Sequence, residues 1–154
     1  MRVEELMNRH VRVCGPNDSL SHAAQIMWDG DCGCVPVVDG NGRPVAMITD
    51  RDVCMAAYTG GRSLSELSVW GASAHHPCTV RLDDEIATAE QRMRQFQVRR
   101  VPVVDAQGKL VGILSMNDLA RQARLRGARG PSAEGVVKTL AAICSRPAGA
   151  TGAH

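Results

Sequence analysis

A five-residue sequence, Val-Pro-Val-Val-Asp, occurs twice in this chain, as Val35–Asp39 and again as Val101–Asp105. The similarity extends outward without a gap, so that residues 14–54 align with residues 80–120. Solenoid proteins stack several units of about 20–50 residues, whereas this chain has a longer period and only two copies. The sequence therefore predicts a duplicated half-domain. Matching residues in the two copies include Asp18 with Asp84, Gly42 with Gly108 and Asp52 with Asp118.

Each copy carries the same local signals in the same order. After a short apolar segment, Asp18 in the first copy, or Asp84 in the second, is expected to cap a helix. Apolar residues at helical spacing follow, as in Leu20–Met27, and then come two β-rich runs joined by a glycine-containing turn. A second helix begins at Thr49. Because a β-α-β-β-α unit leaves an apolar face uncovered, we predict an α/β fold of two units packed about a pseudo-two-fold axis, with an additional C-terminal helix.

The boundaries follow from the spacing of the two copies. The first repeat is assigned to residues 1–60 and the second to residues 61–125. The segments Val3–Met7 and Leu64–Leu67 are expected to be short lead-ins, each to the copy that follows it. Residues 126–154 are assigned to a linker, an amphipathic helix and a disordered tail.

The composition excludes several classes of protein. In 154 residues, 44% are hydrophobic and 22% are charged, which is ordinary for a globular chain. The net charge of +2 lacks the basic excess of a nucleic-acid binder, and 3% aromatic residues offer little platform for stacked bases. No apolar run reaches the roughly 18 residues that a membrane span needs. The N-terminus lacks the apolar stretch of a signal peptide, so we expect a cytoplasmic protein.

The six cysteines leave two interpretations open. Without a signal peptide, reduced thiols that pack as small hydrophobic residues are expected. Cys32 and Cys34 form the only close pair, and a single Cys-x-Cys is a weak metal signal because structural zinc sites need four ligands. We therefore expect no metal site, and a redox or metal sensor at this pair is kept as an alternative.

The repeated pattern resembles the cystathionine-β-synthase (CBS) domain. The resemblance is carried by the Val-Pro-Val-Val-Asp strand, the glycine of the following turn, and the motifs Thr49-x-x-Asp52 and Ser115-x-x-Asp118. Together the copies cover about residues 1–122. The chain thus resembles a tandem CBS pair, or Bateman module, and stand-alone bacterial CBS-pair proteins of hypoxic-response type are similar.

This resemblance implies regulation by a ligand bound in clefts between the two copies. Family members bind adenosine-containing ligands, so AMP, ATP, ADP and S-adenosylmethionine are the candidates, and no cofactor is required. The family motif implies that Asp52 and Asp118 accept hydrogen bonds from ribose hydroxyls, with Thr49 and Ser115 beside them. From the residues alone, the alternative is that these four only cap their helices.

The copies differ where family members carry basic residues for phosphate. The second copy has Arg99 and Arg100 before its Val-Pro strand, whereas the first has Gly33 and Cys34. We therefore predict one cleft suited to a phosphate and a second, weaker cleft. Arg51 is expected to add positive charge to one of them. By family analogy, adenine would be lined by strand residues: Val13, Ile48, Val80 and Leu114.

Three further expectations complete this interpretation. CBS pairs usually dimerise, so we expect a homodimer to which the C-terminal helix contributes, and an unknown protein partner whose activity responds to the ligand. An enzyme is not expected, because neither a nucleophile elbow nor a phosphate-binding Gly-Lys loop is present. The remaining alternative is an interaction module with vestigial clefts.

Overall fold

The structure is a computed structural model that describes residues 1–125 and 130–145. Residues 126–129 of the predicted linker and the predicted tail from residue 146 lie outside the described residues. The helices are α1 (Leu20–Asp29), α2 (Asp50–Gly60), α3 (Val69–Ala72), α4 (Ile86–Phe96), α5 (Met116–Arg124) and α6 (Ala133–Cys144). The strands are β1 (Cys34–Val38), β2 (Pro44–Thr49), β3 (Ala74–His75), β4 (Val80–Arg81), β5 (Arg100–Val104) and β6 (Leu110–Ser115).

Two small sheets, one in each repeat, confirm the predicted α/β fold. The first has the strand order β1-β2-β3 and the second β4-β5-β6. Each contains an antiparallel hairpin, and the register shifts at the same aligned place, after Val37 in β1 and after Val103 in β5. Gly42 and Gly108 turn the two hairpins with φ of 77° and 78°, a conformation that favours glycine. The duplication in sequence is thus a duplication in structure.

The caps of the first helix in each repeat differ from the prediction. Ser19, not Asp18, caps α1 by accepting from the backbone N–H of His22. Asp18 instead accepts from the N–H of Gly15 at 2.8 Å, and Asp84 likewise accepts from the N–H of Arg81. Both aspartates therefore stabilise the turn that precedes the helix, because a short carboxylate side chain bonds readily to nearby backbone donors.

The lead-in segments pack on the opposite repeats, which their position in the sequence did not indicate. Val3 and Met7 are buried in the hydrophobic core of the second repeat. Asn8 exchanges backbone hydrogen bonds with Ile113 of β6, at 2.9 and 3.0 Å. In return, Val69 and the segment before it pack into the core of the first repeat, and β3 pairs with β2. Each sheet therefore ends on a strand or bridge supplied by the other repeat's lead-in.

The C-terminal helix α6 packs against α4 and α5 of its own chain. Val136 and Thr139 are buried in this contact, and Thr139 is fully enclosed. At the end of α6, the Gln97 side-chain amide donates to the carbonyls of Ala142 and Ser145. The helix therefore packs on its own subunit, and its contribution to a dimer stays a prediction.

Among the described residues, no helix is both long enough and apolar enough to span a membrane.

Candidate functional site

A cleft of about 350 Å³ lies between the two repeats, and we call it the first cleft. The first repeat and its lead-in provide one wall, and the start of β5, the end of β6 and α5 provide the other. The residues that line it are Asn8, His10, Val11, Arg12, Gly30, Asp31, Cys32, Cys34, Pro36, Arg100, Ile113, Ser115, Asn117, Asp118 and Arg121. Since both repeats contribute, the cleft exists only in the assembled pair.

Asp118 is held in place by the cap of α5. Its Oδ2 accepts from the backbone N–H of Ser115 at 2.9 Å and from the Ser115 hydroxyl at 2.6 Å. Its Oδ1 accepts from the guanidinium of Arg121. A carboxylate can accept about four hydrogen bonds, so Asp118 caps the helix and retains capacity for a ligand. Capping and ligand binding, set out above as alternatives, are therefore compatible.

The first cleft has more positive than negative groups. Arg12, Arg100 and Arg121 line it together with two carboxylates, those of Asp31 and Asp118. Guanidinium groups form bidentate, charge-assisted hydrogen bonds with phosphate. The cleft is therefore suited to an anion placed next to a hydrogen-bonding carboxylate.

The Cys34 thiol faces this basic region. Burial raises the pKa of Cys34 above its ordinary value, while the nearby Arg100 guanidinium opposes the shift. A raised pKa keeps the sulfur protonated near neutral pH, and a protonated thiol is a poor nucleophile. Cys34 is therefore a neutral wall of the cleft, adjacent to Arg100.

A second cleft, of about 190 Å³, is the pseudo-symmetric counterpart of the first. It is lined by Met47, Ala74, His75, His76, Pro77, Cys78, Phe96, Val98, Arg100 and Pro102. The indole of Trp70 stacks on the His75 ring, with ring centroids 3.8 Å apart. Arg100 lines both clefts, so it is not a feature of one cleft alone.

The aligned helix cap of the first repeat has the same geometry, although neither Thr49 nor Asp52 lines the second cleft. Asp52 Oδ2 accepts from the backbone N–H of Thr49 at 2.9 Å and from its hydroxyl at 2.7 Å. The arginines are not repeated: Arg12, Arg100 and Arg121 align with Cys78, Cys34 and Met55. The first cleft therefore has three arginines and the second only Arg100, although Asp31 and Asp118 offset two of the three positive charges in the first cleft.

Several predicted site residues lie away from the lining of the first cleft. Arg51 is exposed, outside the lining of either cleft. Arg99 lies in a neighbouring groove with Met116 and Leu140. The four residues predicted to line adenine are in other places: Ile48, Val80 and Leu114 are buried in the two cores, and Val13 lies in a separate apolar groove.

Strand geometry explains the position of these apolar residues. Successive side chains of a strand point to opposite faces, so a shift of one residue exchanges core and cleft. Leu114 points into the core, and its neighbour Ile113 lines the first cleft. Val11 and Pro36 supply the other apolar surface there.

Arg12 and Arg121 are cleft residues that the sequence interpretation missed. A signal for both was present, because aligning the two copies sets Arg12 against Cys78 and Arg121 against Met55. The same comparison had singled out Arg100. The alignment alone does not show that Arg12 and Arg100, which belong to different repeats, line the same cleft.

Within residues 1–125 and 130–145, no group of three or more His, Cys, Asp or Glu side chains is placed to hold a metal ion. The cysteines in this part of the chain are free thiols, and Cys14 and Cys34 are buried.

The family model of the CBS domain matches residues 3–58 and 72–124. The CBS domain-containing protein YhcV of Bacillus subtilis is 35% identical over 122 residues, covering 77% of this chain and 82% of the relative. Hypoxic response protein 1 of Mycobacterium tuberculosis is 29% identical over 141 residues, covering 92% of each chain.

Two solved structures bear on the site. A crystal structure of Hypoxic Response Protein I with two coordinated zinc ions is similar with a TM-score of 0.72 and 30% identity, covering 79% of this chain and 98% of that one. The crystal structure of CBSX2 in complex with AMP has a TM-score of 0.69 and 27% identity, covering 80% and 96%. CBSX2 is a CBS-pair protein from Arabidopsis thaliana.

Proposed function

This chain belongs to the CBS-domain family, and from that premise we propose that it is a non-enzymatic regulatory module that binds an adenosine nucleotide in the first cleft. Asp118 accepts from the ribose hydroxyls, and Arg12, Arg100 and Arg121 contact the phosphate. The adenine ring contacts the apolar wall formed by Val11, Pro36 and Ile113.

The observation that carries this proposal is the convergence of Asp118 and three arginines in one cleft. A nucleotide combines a diol, a phosphate and an apolar base, and each has a matching group in this cleft. The AMP complex of a relative with 27% identity supports the same class of ligand.

The arginines of the first cleft favour phosphorylated ligands over S-adenosylmethionine. AMP, ADP and ATP bring phosphate to the arginines, whereas S-adenosylmethionine brings a sulfonium cation. Like charges in a cleft are repelled, so phosphorylated ligands are preferred.

Titration calorimetry with AMP on wild type and two matched variants tests the proposal. Asp118→Asn and Asp52→Asn each alter a helix cap of the same geometry, but only Asp118 lines the first cleft. Asp118→Asn should weaken AMP about 10- to 150-fold, the cost of losing hydrogen bonds to a charged group. Asp52→Asn should leave the affinity of the first cleft for AMP within about twofold of wild type. Equal losses in both variants would refute the assignment of ribose to Asp118.

We further propose that the chain forms a homodimer through α1 and α2. These helices carry large exposed apolar side chains, with Trp28 at 87% and Tyr58 at 83% exposure. The aligned helices α4 and α5 are covered by α6, which has no counterpart over the first repeat among the described residues. A two-fold dimer is the commonest way to bury such a surface.

A further inference from the structure

Asp52 and Asp118 differ in the partner of one carboxylate oxygen. In both residues Oδ2 is occupied by the helix cap. Oδ1 of Asp118 accepts from Arg121, which lies three residues further along α5. At the aligned place in α2 the chain has Met55, which has no donor group. The ion pair is therefore specific to the carboxylate of the first cleft.

The oxygen that Arg121 occupies is the one that a ribose diol needs. Because Oδ2 already accepts two hydrogen bonds from Ser115, the diol must approach Oδ1. The Arg121 side chain is 75% exposed, whereas that of Asp118 is only 10% exposed. The arginine can thus leave the carboxylate without uncovering the core, and it remains at the mouth of a cleft that also contains Arg12 and Arg100.

We propose that Arg121 makes the first cleft selective for phosphorylated ligands over nucleosides, by binding Asp118 until a ligand phosphate replaces that carboxylate as its partner. A ribose diol donates two hydrogen bonds, and beside Arg121 the Oδ1 atom has room for only one, so a nucleoside must compete with Arg121 for that oxygen and offers nothing in return. A nucleotide offers Arg121 a phosphate, with which a guanidinium makes bidentate, charge-assisted bonds. This inference rests on the nucleotide function proposed above and adds to it a residue that sets specificity.

The test is titration calorimetry of wild type and Arg121→Met with adenosine and with AMP. The substitution installs the residue that the first repeat has at this position. Adenosine should bind up to about fivefold tighter, the range expected for removing a partly exposed ion pair. AMP should bind about tenfold weaker, because a charge-assisted contact with phosphate is lost. The ratio of AMP to adenosine affinity should therefore fall by at least tenfold.

Two further variants keep the result interpretable. Arg124→Met removes the same charge from an exposed position on the same helix, outside the lining of the cleft, and should leave the affinity ratio within about twofold. Arg121→Gln keeps an amide that can donate to Asp118 but loses the charge. It should weaken AMP about tenfold while leaving adenosine unchanged, which separates the two contacts of Arg121. Thermal unfolding of each variant verifies that α5 is intact.

The outcomes separate this inference from the proposed function. If wild type binds both ligands and Arg121→Met changes both affinities by the same factor, the selectivity role of Arg121 is wrong while the nucleotide function stands. If Arg124→Met lowers the ratio of AMP to adenosine affinity as much as Arg121→Met does, the selectivity role of Arg121 is also wrong, since long-range charge alone would then explain the effect. If wild type binds neither ligand, both the nucleotide function and the role of Arg121 are refuted.

Discussion

Arg94 donates a hydrogen bond from Nη1 to Thr139 Oγ1 at 2.8 Å, although the two residues are 45 positions apart in the chain. Thr139 is fully buried between α6 and the helices beneath it. Thr139→Val keeps the shape of the side chain but leaves the guanidinium without this acceptor, so the free energy of unfolding should fall by about 1–2 kcal/mol. Urea denaturation measures the change. The exposed neighbour Lys138 is the control, and Lys138→Ala should stay within about 0.5 kcal/mol of wild type.

Gly112 lies where the lead-in of the first repeat crosses β6. A Cβ there would come within 2.6 Å of Met7 Sδ and 3.0 Å of the Asn8 carbonyl oxygen. Gly112→Ala should therefore lower the free energy of unfolding by about 1–3 kcal/mol, the usual cost of overpacking. Gly40 is the matched control, because a Cβ there meets nothing within 4 Å and the second copy already has Ala106 at the aligned place. Equal effects of the two substitutions in thermal or urea unfolding would contradict the close contact.

The stability of the α4–α6 contact should depend on pH through Glu90. This side chain is buried, its Oε1 has no hydrogen-bond partner, and burial raises the pKa of its carboxyl although Arg94 opposes the shift. The folded protein therefore binds this proton more tightly than the unfolded chain does. Its contribution to the free energy of unfolding falls as pH rises from the ordinary Glu pKa, about 4.3, through the raised value.

Glu90→Gln tests this dependence. The variant should be more stable than wild type at pH 7, and the difference should shrink towards zero below about pH 4, where the carboxyl is protonated in both states. Urea denaturation at several pH values measures it. A difference that is constant with pH would show that the titration of Glu90 does not affect stability.

The two clefts should bind AMP unequally. The three arginines of the first cleft align with Cys34, Cys78 and Met55, and the second cleft shares only Arg100. Losing one charge-assisted contact costs about 1.5–3 kcal/mol, so the second cleft should stay largely unfilled when the first is half saturated. Calorimetry should therefore give about one AMP per chain near half saturation, with any second event much weaker. Two equally tight sites per chain would exclude this prediction.

Association should depend on the exposed face of α1 and α2. Trp28→Glu combined with Tyr58→Glu places charges on the surface proposed to be buried, and should convert a dimer to a monomer at micromolar concentration. Light scattering after size-exclusion chromatography measures the mass. Val137→Glu is the control, because Val137 is exposed on α6 at the other end of the chain. A dimer that is lost only with Val137→Glu would move the interface to α6.

Local signals in the sequence were enough for the helices and the hairpins. The strand expected before α1 is only an isolated bridge between Cys14 and Val37, and no local signal shows which segments pack against each other across the chain. The hairpins, the turn glycines and the caps at Thr49 and Ser115 are set by residues within a few positions of each other, and all are found in the structure. The pairing of Cys34 with Arg100 across one cleft joins residues far apart in the chain, and no local pattern encodes it. The strand face of Leu114 was also not decidable locally, because both sides of β6 are apolar.

The exchange of lead-ins makes the two halves one cooperative unit. A cut between Gly60 and Gly61 would separate Val3 and Met7 from the core that they complete, and Val69 from the other core. Neither fragment then has its full interior, so each alone should be largely unfolded and the two should regain structure only when mixed. The intact chain should therefore unfold in one transition. Because the first cleft is also built from both halves, a ligand bound there should stabilise the entire chain against that unfolding.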